Sequence, residues 1–139
     1  MDITYCEGIP DVDTYNDLRT SVEWKSFGRE QSERCLKSSY YCVVAKDGDE
    51  IVAMGRTVGD GVYFTIVDVV VRPRYQGKRI GEGIIKRLVK LITDGMAEGE
   101  SVSVQLIAAR GKEGFYVKQG FGIIPDETCG PALRKIIRK

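Results

Sequence analysis

Histidine is absent from the chain's 139 residues. Its absence excludes Ser-His-Asp and Cys-His catalysis, histidine metal sites and histidine pH switches. An excess of one charge is also missing, since 21 Lys and Arg face 20 Asp and Glu for a net charge of +1. No overall field therefore draws in nucleic acid, and Lys86, Arg87, Lys90, Arg134, Lys135, Arg138 and Lys139 read as solvated faces. The 4 cysteines, Cys6, Cys35, Cys42 and Cys129, are scattered with no C-x-x-C pair. That spacing suits reduced thiols of a cytoplasmic protein rather than a zinc site. No apolar run reaches the ~18 residues that span a bilayer. Met1 to Ile9 carries Asp2 and Glu7 instead of the basic start of a signal peptide. No metal, nucleic acid or membrane is expected as a partner.

What is present is an ordinary globular composition, 42% hydrophobic, on a length that suits a single domain over residues 1–139. Ile3 to Cys6 reads as a short strand. Asp13 or Thr14 can cap a helix through about Trp24, and Arg29 to Lys37 reads as a second, polar helix. Tyr40 to Ala45, Ile51 to Val58 and Val62 to Arg72 are β-rich runs joined by short turns, so three antiparallel strands follow in succession. From Ile80 to about Met96 the apolar residues Ile80, Ile84, Leu88, Leu91 and Ile92 fall on one face of a helix. Val102 to Ile107 is a further strand and Gly111 to Lys118 a short helix. Phe121 to Ile124 and Ala132 to Ile137 are read as two closing strands. This order predicts an α/β fold, a mixed and mostly antiparallel central sheet with helices on both faces.

One segment points to a ligand. A strand runs through Pro73 into Gln76-Gly77-Lys78-Arg79-Ile80-Gly81-Glu82-Gly83 and on into the amphipathic helix. The first turn of a helix has unpaired N–H groups and a positive dipole end, so it attracts phosphate. Glycines let backbone approach the anion, and Lys78 and Arg79 add charge at the rim. A Walker loop is excluded because no Gly-Lys is followed by Ser or Thr. The spacing of a dinucleotide fingerprint is absent as well. A turn whose glycines serve only packing remains the alternative.

These residues, taken with two further blocks, resemble the GNAT N-acetyltransferases. The blocks are Val69-Val70-Val71-Arg72-Pro73, Gln76-Gly77-Lys78-Arg79-Ile80-Gly81 and Phe115-Tyr116-Val117-Lys118-Gln119-Gly120-Phe121. Arg79 stands where the family often has glycine. The resemblance implies a sheet splayed at its central strands, with acetyl-CoA lying in the opening as a cosubstrate. It implies that Val69, Val70 and Val71 meet the pantetheine through main chain, with an N–H near Val70 on the thioester oxygen. Gln76, Gly77, Lys78, Arg79, Ile80, Gly81 and Glu82 would hold the pyrophosphate.

For catalysis, Tyr116 is the candidate general acid for the departing thiolate, because a phenol near pKa ~10 is the weaker acid and stays protonated beside a thiol near ~8.5. An aromatic core residue is the alternative reading of Tyr116, and Phe115 and Phe121 read as core. Asp68, alone in an apolar run, is either a buried structural acid or the base that faces the amine, with Glu23 and Glu50 as weaker choices. Trp24, Tyr40 and Arg56 are candidates for lining an acceptor pocket, since aromatic faces suit a cationic amine, with core packing as the alternative reading of each. The expected activity is acetyl transfer to a primary amine, on a small molecule or a protein, by direct attack. A non-catalytic CoA-binding or interaction module on the same fold is the competing expectation, and a homodimer is compatible with either.

Overall fold

A five-stranded sheet in the order β1-β2-β3-β4-β5 organises the chain. The computed structural model describes residues 1–139, which form two units, Met1–Ile107 and Ala108–Lys139. The first contains β1 (Ile3–Glu7), α1 (Val12–Ser21), α2 (Arg29–Lys37), β2 (Tyr41–Asp47), β3 (Glu50–Gly59) and β4 (Tyr63–Val71). A 3-10 turn (Pro73–Tyr75), α3 (Ile80–Asp94) and β5 (Ser103–Leu106) complete it. Neighbouring strands are antiparallel except β4 and β5, which are parallel. A parallel pair needs a crossover, and α3 supplies it.

The helices sit where sequence periodicity puts their apolar residues. α3 buries Ile80, Ile84, Ile85, Leu88 and Ile92. Its close approach to the sheet depends on Gly55, where an added Cβ would lie 2.5 Å from Ile84 Cγ2 and 3.2 Å from Leu88 Cδ1. The other face carries α1 and α2, where Tyr15, Leu18 and Leu36 pack with Cys42, Val44, Met54 and Val70. α1 starts earlier than Asp13 or Thr14 suggests, because Asp11 caps it: Asp11 Oδ1 accepts the Thr14 N–H at 2.7 Å. It also ends before Trp24, at a turn in which the Arg19 carbonyl accepts from the Val22 and Trp24 N–H groups.

The second unit holds α4 (Glu113–Val117) and otherwise lacks helices and strands. Phe121 to Ile124 and Ala132 to Ile137 are not strands, contrary to expectation. An apolar pattern becomes a strand only where a ladder partner takes up its N–H and C=O groups. This unit has no strand of its own to pair with either segment. Leu133 and Ile137 stand exposed.

Candidate functional site

The geometry of interest begins where β4 leaves β5. Their parallel ladder runs only from Tyr63 opposite Ser103 to Ile66 opposite Leu106. From Val67 onward β4 pairs with β3 alone, so the two parallel strands part toward their carboxyl ends. In α/β sheets this end of diverging strands is where ligands lie. Arg72 N–H donates to the Val52 carbonyl at 2.9 Å, and the alternation of an antiparallel ladder then turns Val70's main chain toward β3 and Val71's away from it. Val70's own amide therefore faces the sheet, while Val69 and Val71 offer main chain to the β5 side. The Val71 carbonyl already accepts from Gln76 Nε2 at 3.0 Å, which ties the strand's end to the turn beyond it.

That turn is rich in free donors. The N–H groups of Gly77, Lys78, Arg79, Ile80, Gly81 and Glu82 have no acceptor within the protein, and the first helical bond comes from Gly83 N–H to the Arg79 carbonyl at 3.1 Å. Gly77 has φ 77° and Arg79, the N-cap residue, has φ 64°. Both occupy the left-handed region, so Arg79 takes the conformation for which the family often uses glycine. A Cβ on Gly77 would meet only open space, so glycine there serves backbone shape rather than packing. Gly83 is different: a Cβ there would collide with the Tyr5 hydroxyl, so that glycine serves packing. Lys78 and Arg79 are exposed at the rim, and Glu82 pairs with Lys86 at 3.5 Å one turn on. Free amides, a helix dipole and two exposed cations together suit a polyanion.

Asp68 and Arg56, expected in different roles, face each other. Arg56 Nε donates to Asp68 Oδ2 at 2.8 Å, and Arg19 Nη1 donates to Asp68 Oδ1 at 2.7 Å. The Tyr15 hydroxyl adds a third bond, to Oδ2 at 2.7 Å. All three charged side chains are nearly buried, at 8% exposure for Asp68, 10% for Arg56 and 12% for Arg19. Burial, and then the carboxylate beside it, pushes the Tyr15 phenol well above its ordinary range. Arg56 also reaches the Cys35 carbonyl at 3.2 Å, so it is spent inside the protein and does not line an acceptor pocket.

Trp24 is partly exposed, with the Arg19 guanidinium 5.5 Å from its ring and 4.3 Å from Phe27. Tyr40 is exposed too, in a separate aromatic group with Tyr41 at 4.9 Å and Phe64 at 5.0 Å. Glu23 and Glu50 lie at the surface. Sequence reasoning missed Tyr15 and Arg19. A lone acid in one apolar strand and a lone base in its hairpin partner were the available signal, because unpaired charges are rarely buried.

In the second unit Tyr116 sits on α4 and is partly buried, its ring edge-on to Phe115 at 5.0 Å and Phe121 at 6.0 Å. Burial pushes its phenol above the ordinary value, so it is protonated at neutral pH. Phe115 is more exposed than a core residue.

Comparison with known proteins bears on the whole arrangement. The acetyltransferase (GNAT) domain family matches residues 38–123. A serotonin N-acetyltransferase 2, chloroplastic, from Oryza sativa subsp. japonica is 33% identical over 88% of this chain, which spans 62% of that protein's length. A probable acetyltransferase from meticillin-resistant Staphylococcus aureus superposes with a TM-score of 0.83 at 32% identity, covering 96% of this chain and 100% of that one. A GNAT-family acetyltransferase from Streptococcus pneumoniae TIGR4 gives 0.82 at 29% identity, covering 99% and 100%. A parted β4–β5 pair, a donor-rich turn into α3 and these matches converge: the chain belongs to the GNAT acetyltransferases.

Proposed function

We propose that this acetyltransferase moves the acetyl group of acetyl-CoA to a primary amine by direct attack. The observation that carries the reading is the run of free amides from Gly77 to Glu82, set at the open end of the β4–β5 pair. A diphosphate fits that run, since each amide is a donor without a partner and Gly77 leaves space in front of it. The main chain of Val69 and Val71 would hold the pantetheine as an added strand does. An N–H there would also meet the oxygen that gains charge as the thioester is attacked. Acetyl-CoA supplies an acyl group already activated as a thioester.

The nitrogen's lone pair forms the N–C bond, the C–S bond breaks, and the thiolate takes a proton from the Tyr116 hydroxyl, which regains one from water. The nitrogen gives up its own proton to water, because both oxygens of Asp68 are already engaged by Arg19, Arg56 and Tyr15. A covalent enzyme intermediate is disfavoured. Cys42 is buried, which pushes its thiol up to about 12, and no histidine exists to activate any cysteine. The acceptor is a small amine or a protein amine, with Trp24 and Tyr40 as its exposed aromatic contacts, and the setting is the cytoplasm. The rice relative's name makes serotonin, an aromatic primary amine, the first acceptor to assay.

Thermal denaturation with acetyl-CoA tests the reading. At 100 times Kd the ligand adds about 2.7 kcal/mol of stability, a rise of several degrees in Tm. Gly81→Glu places a like charge against the diphosphate and abolishes the rise. A full rise in that variant would remove the anion from this turn.

A further inference from the structure

Asp68 has φ 54°, the left-handed region, inside a strand whose neighbours are β-branched. The ladder explains why the chain bends there. Arg56 opposes Val67 and Met54 opposes Val70, so Asp68 and Val69 together face Gly55 alone, which is a β-bulge. A bulge with its first residue left-handed normally takes glycine, because a side chain there costs strain. Here an aspartate occupies it, and three side chains from two elements hold its carboxylate: Tyr15 and Arg19 from α1, Arg56 from β3. The bulge starts at Asp68, two residues past Ile66, where β4's pairing to β5 stops.

We propose that Asp68 is a positioning residue: clamped by Tyr15, Arg19 and Arg56, it holds β4 in its bulge and so aims the main chain of Val69 and Val71 at the acyl donor. The inference rests on the acetyl-CoA reading above. It assigns the carboxylate a conformational task in place of proton abstraction, and it gives α1 a direct hold on the acyl site. Gly55 completes the device, since only a residue without a side chain leaves room on the α3 face opposite the bulge.

Two variants separate conformation from charge. Asp68→Gly and Asp68→Val both remove the carboxylate and leave Arg19 and Arg56 unpaired, but only glycine accepts a left-handed backbone without strain. Affinities for acetyl-CoA and for CoA are measured by calorimetry well below each variant's Tm. Both variants melt lower than wild type. Asp68→Gly keeps the acetyl-CoA Kd within about threefold, whereas Asp68→Val weakens it at least about tenfold. If both lose affinity alike, a backbone that takes the bend without a clamp does not restore the site, and the carboxylate acts by a route other than the bulge. If neither loses it, the bulge does not aim the site, and either result overturns the proposal. Should Asp68→Val fail to fold, Asp68→Ala takes its place in the same comparison. A wild-type protein that binds no acetyl-CoA is a different failure: it brings down the donor assignment before the variants are compared.

Discussion

The clearest chemical forecast at the scale of single residues concerns Tyr116. Its partly buried phenol stays protonated at neutral pH, as a proton donor to a thiolate requires. Tyr116→Phe keeps the ring and removes only the hydroxyl, so kcat falls at least about 100-fold while the Kd for CoA hardly moves. Unchanged turnover would take the proton donor's role away from Tyr116, and a lost CoA affinity would mean that the hydroxyl serves binding. The charged residues were harder to read in the sequence than the tyrosine. Asp68 could be read either as structural or as the base because it stood alone in an apolar run, and no local signal tied it to Arg56. Counting outward from the β3–β4 turn brings the two positions close, since Gly59 opposes Phe64 and Arg56 opposes Val67. The extra bulge residue and the contribution of Arg19 from α1 were beyond such counting, because they arise only from packing of distant segments.

Whole elements followed their local signals wherever packing agreed with them. Arg29 to Lys37 is helical as the pattern implies, and α3 begins at Ile80, its apolar stripe buried on the sheet. The two expected closing strands show the limit of a pattern, which states what a segment can pair with and not whether a partner exists. The seating of α3 yields a forecast of its own. Gly55→Ala puts a methyl 2.5 Å from Ile84 Cγ2, backed by Leu88, so the Ile84 side chain or the helix that carries it must shift. Overpacking of this kind costs about 1–3 kcal/mol, measurable as a lower denaturation midpoint. A variant as stable as wild type would mean that α3 has slack the packing does not suggest.

At the scale of the molecule, alkaline pH is where stability should fall. Burial raises the Cys42 thiol from its ordinary 9.0 to about 12, and the buried Tyr15 phenol moves in the same direction. A group whose folded pKa is raised keeps its proton in the native state after the unfolded chain has lost it. Its stabilising contribution is therefore whole below pH 9 and declines between about pH 9 and 12. Urea midpoints across that range should drop, and Cys42→Ala should flatten part of the drop while leaving the Tyr15 share. A midpoint that does not change up to pH 12 would contradict the burial of both groups.

The turn after β3 has a bearing on how the fold tolerates change. At Gly59 a side chain would strike the Tyr63 carbonyl, so the hairpin closes tightly at one spot and every pair further along is counted from it. The hairpin thus acts as the end stop of a ruler, on which the bare notch at Gly55 lies level with the bend at Asp68. Lengthening the link between Gly59 and Tyr63 in a way that slid one strand past the other would set that bend against a bulky neighbour. A surface insertion far from any chemistry would then blunt the enzyme by misalignment alone.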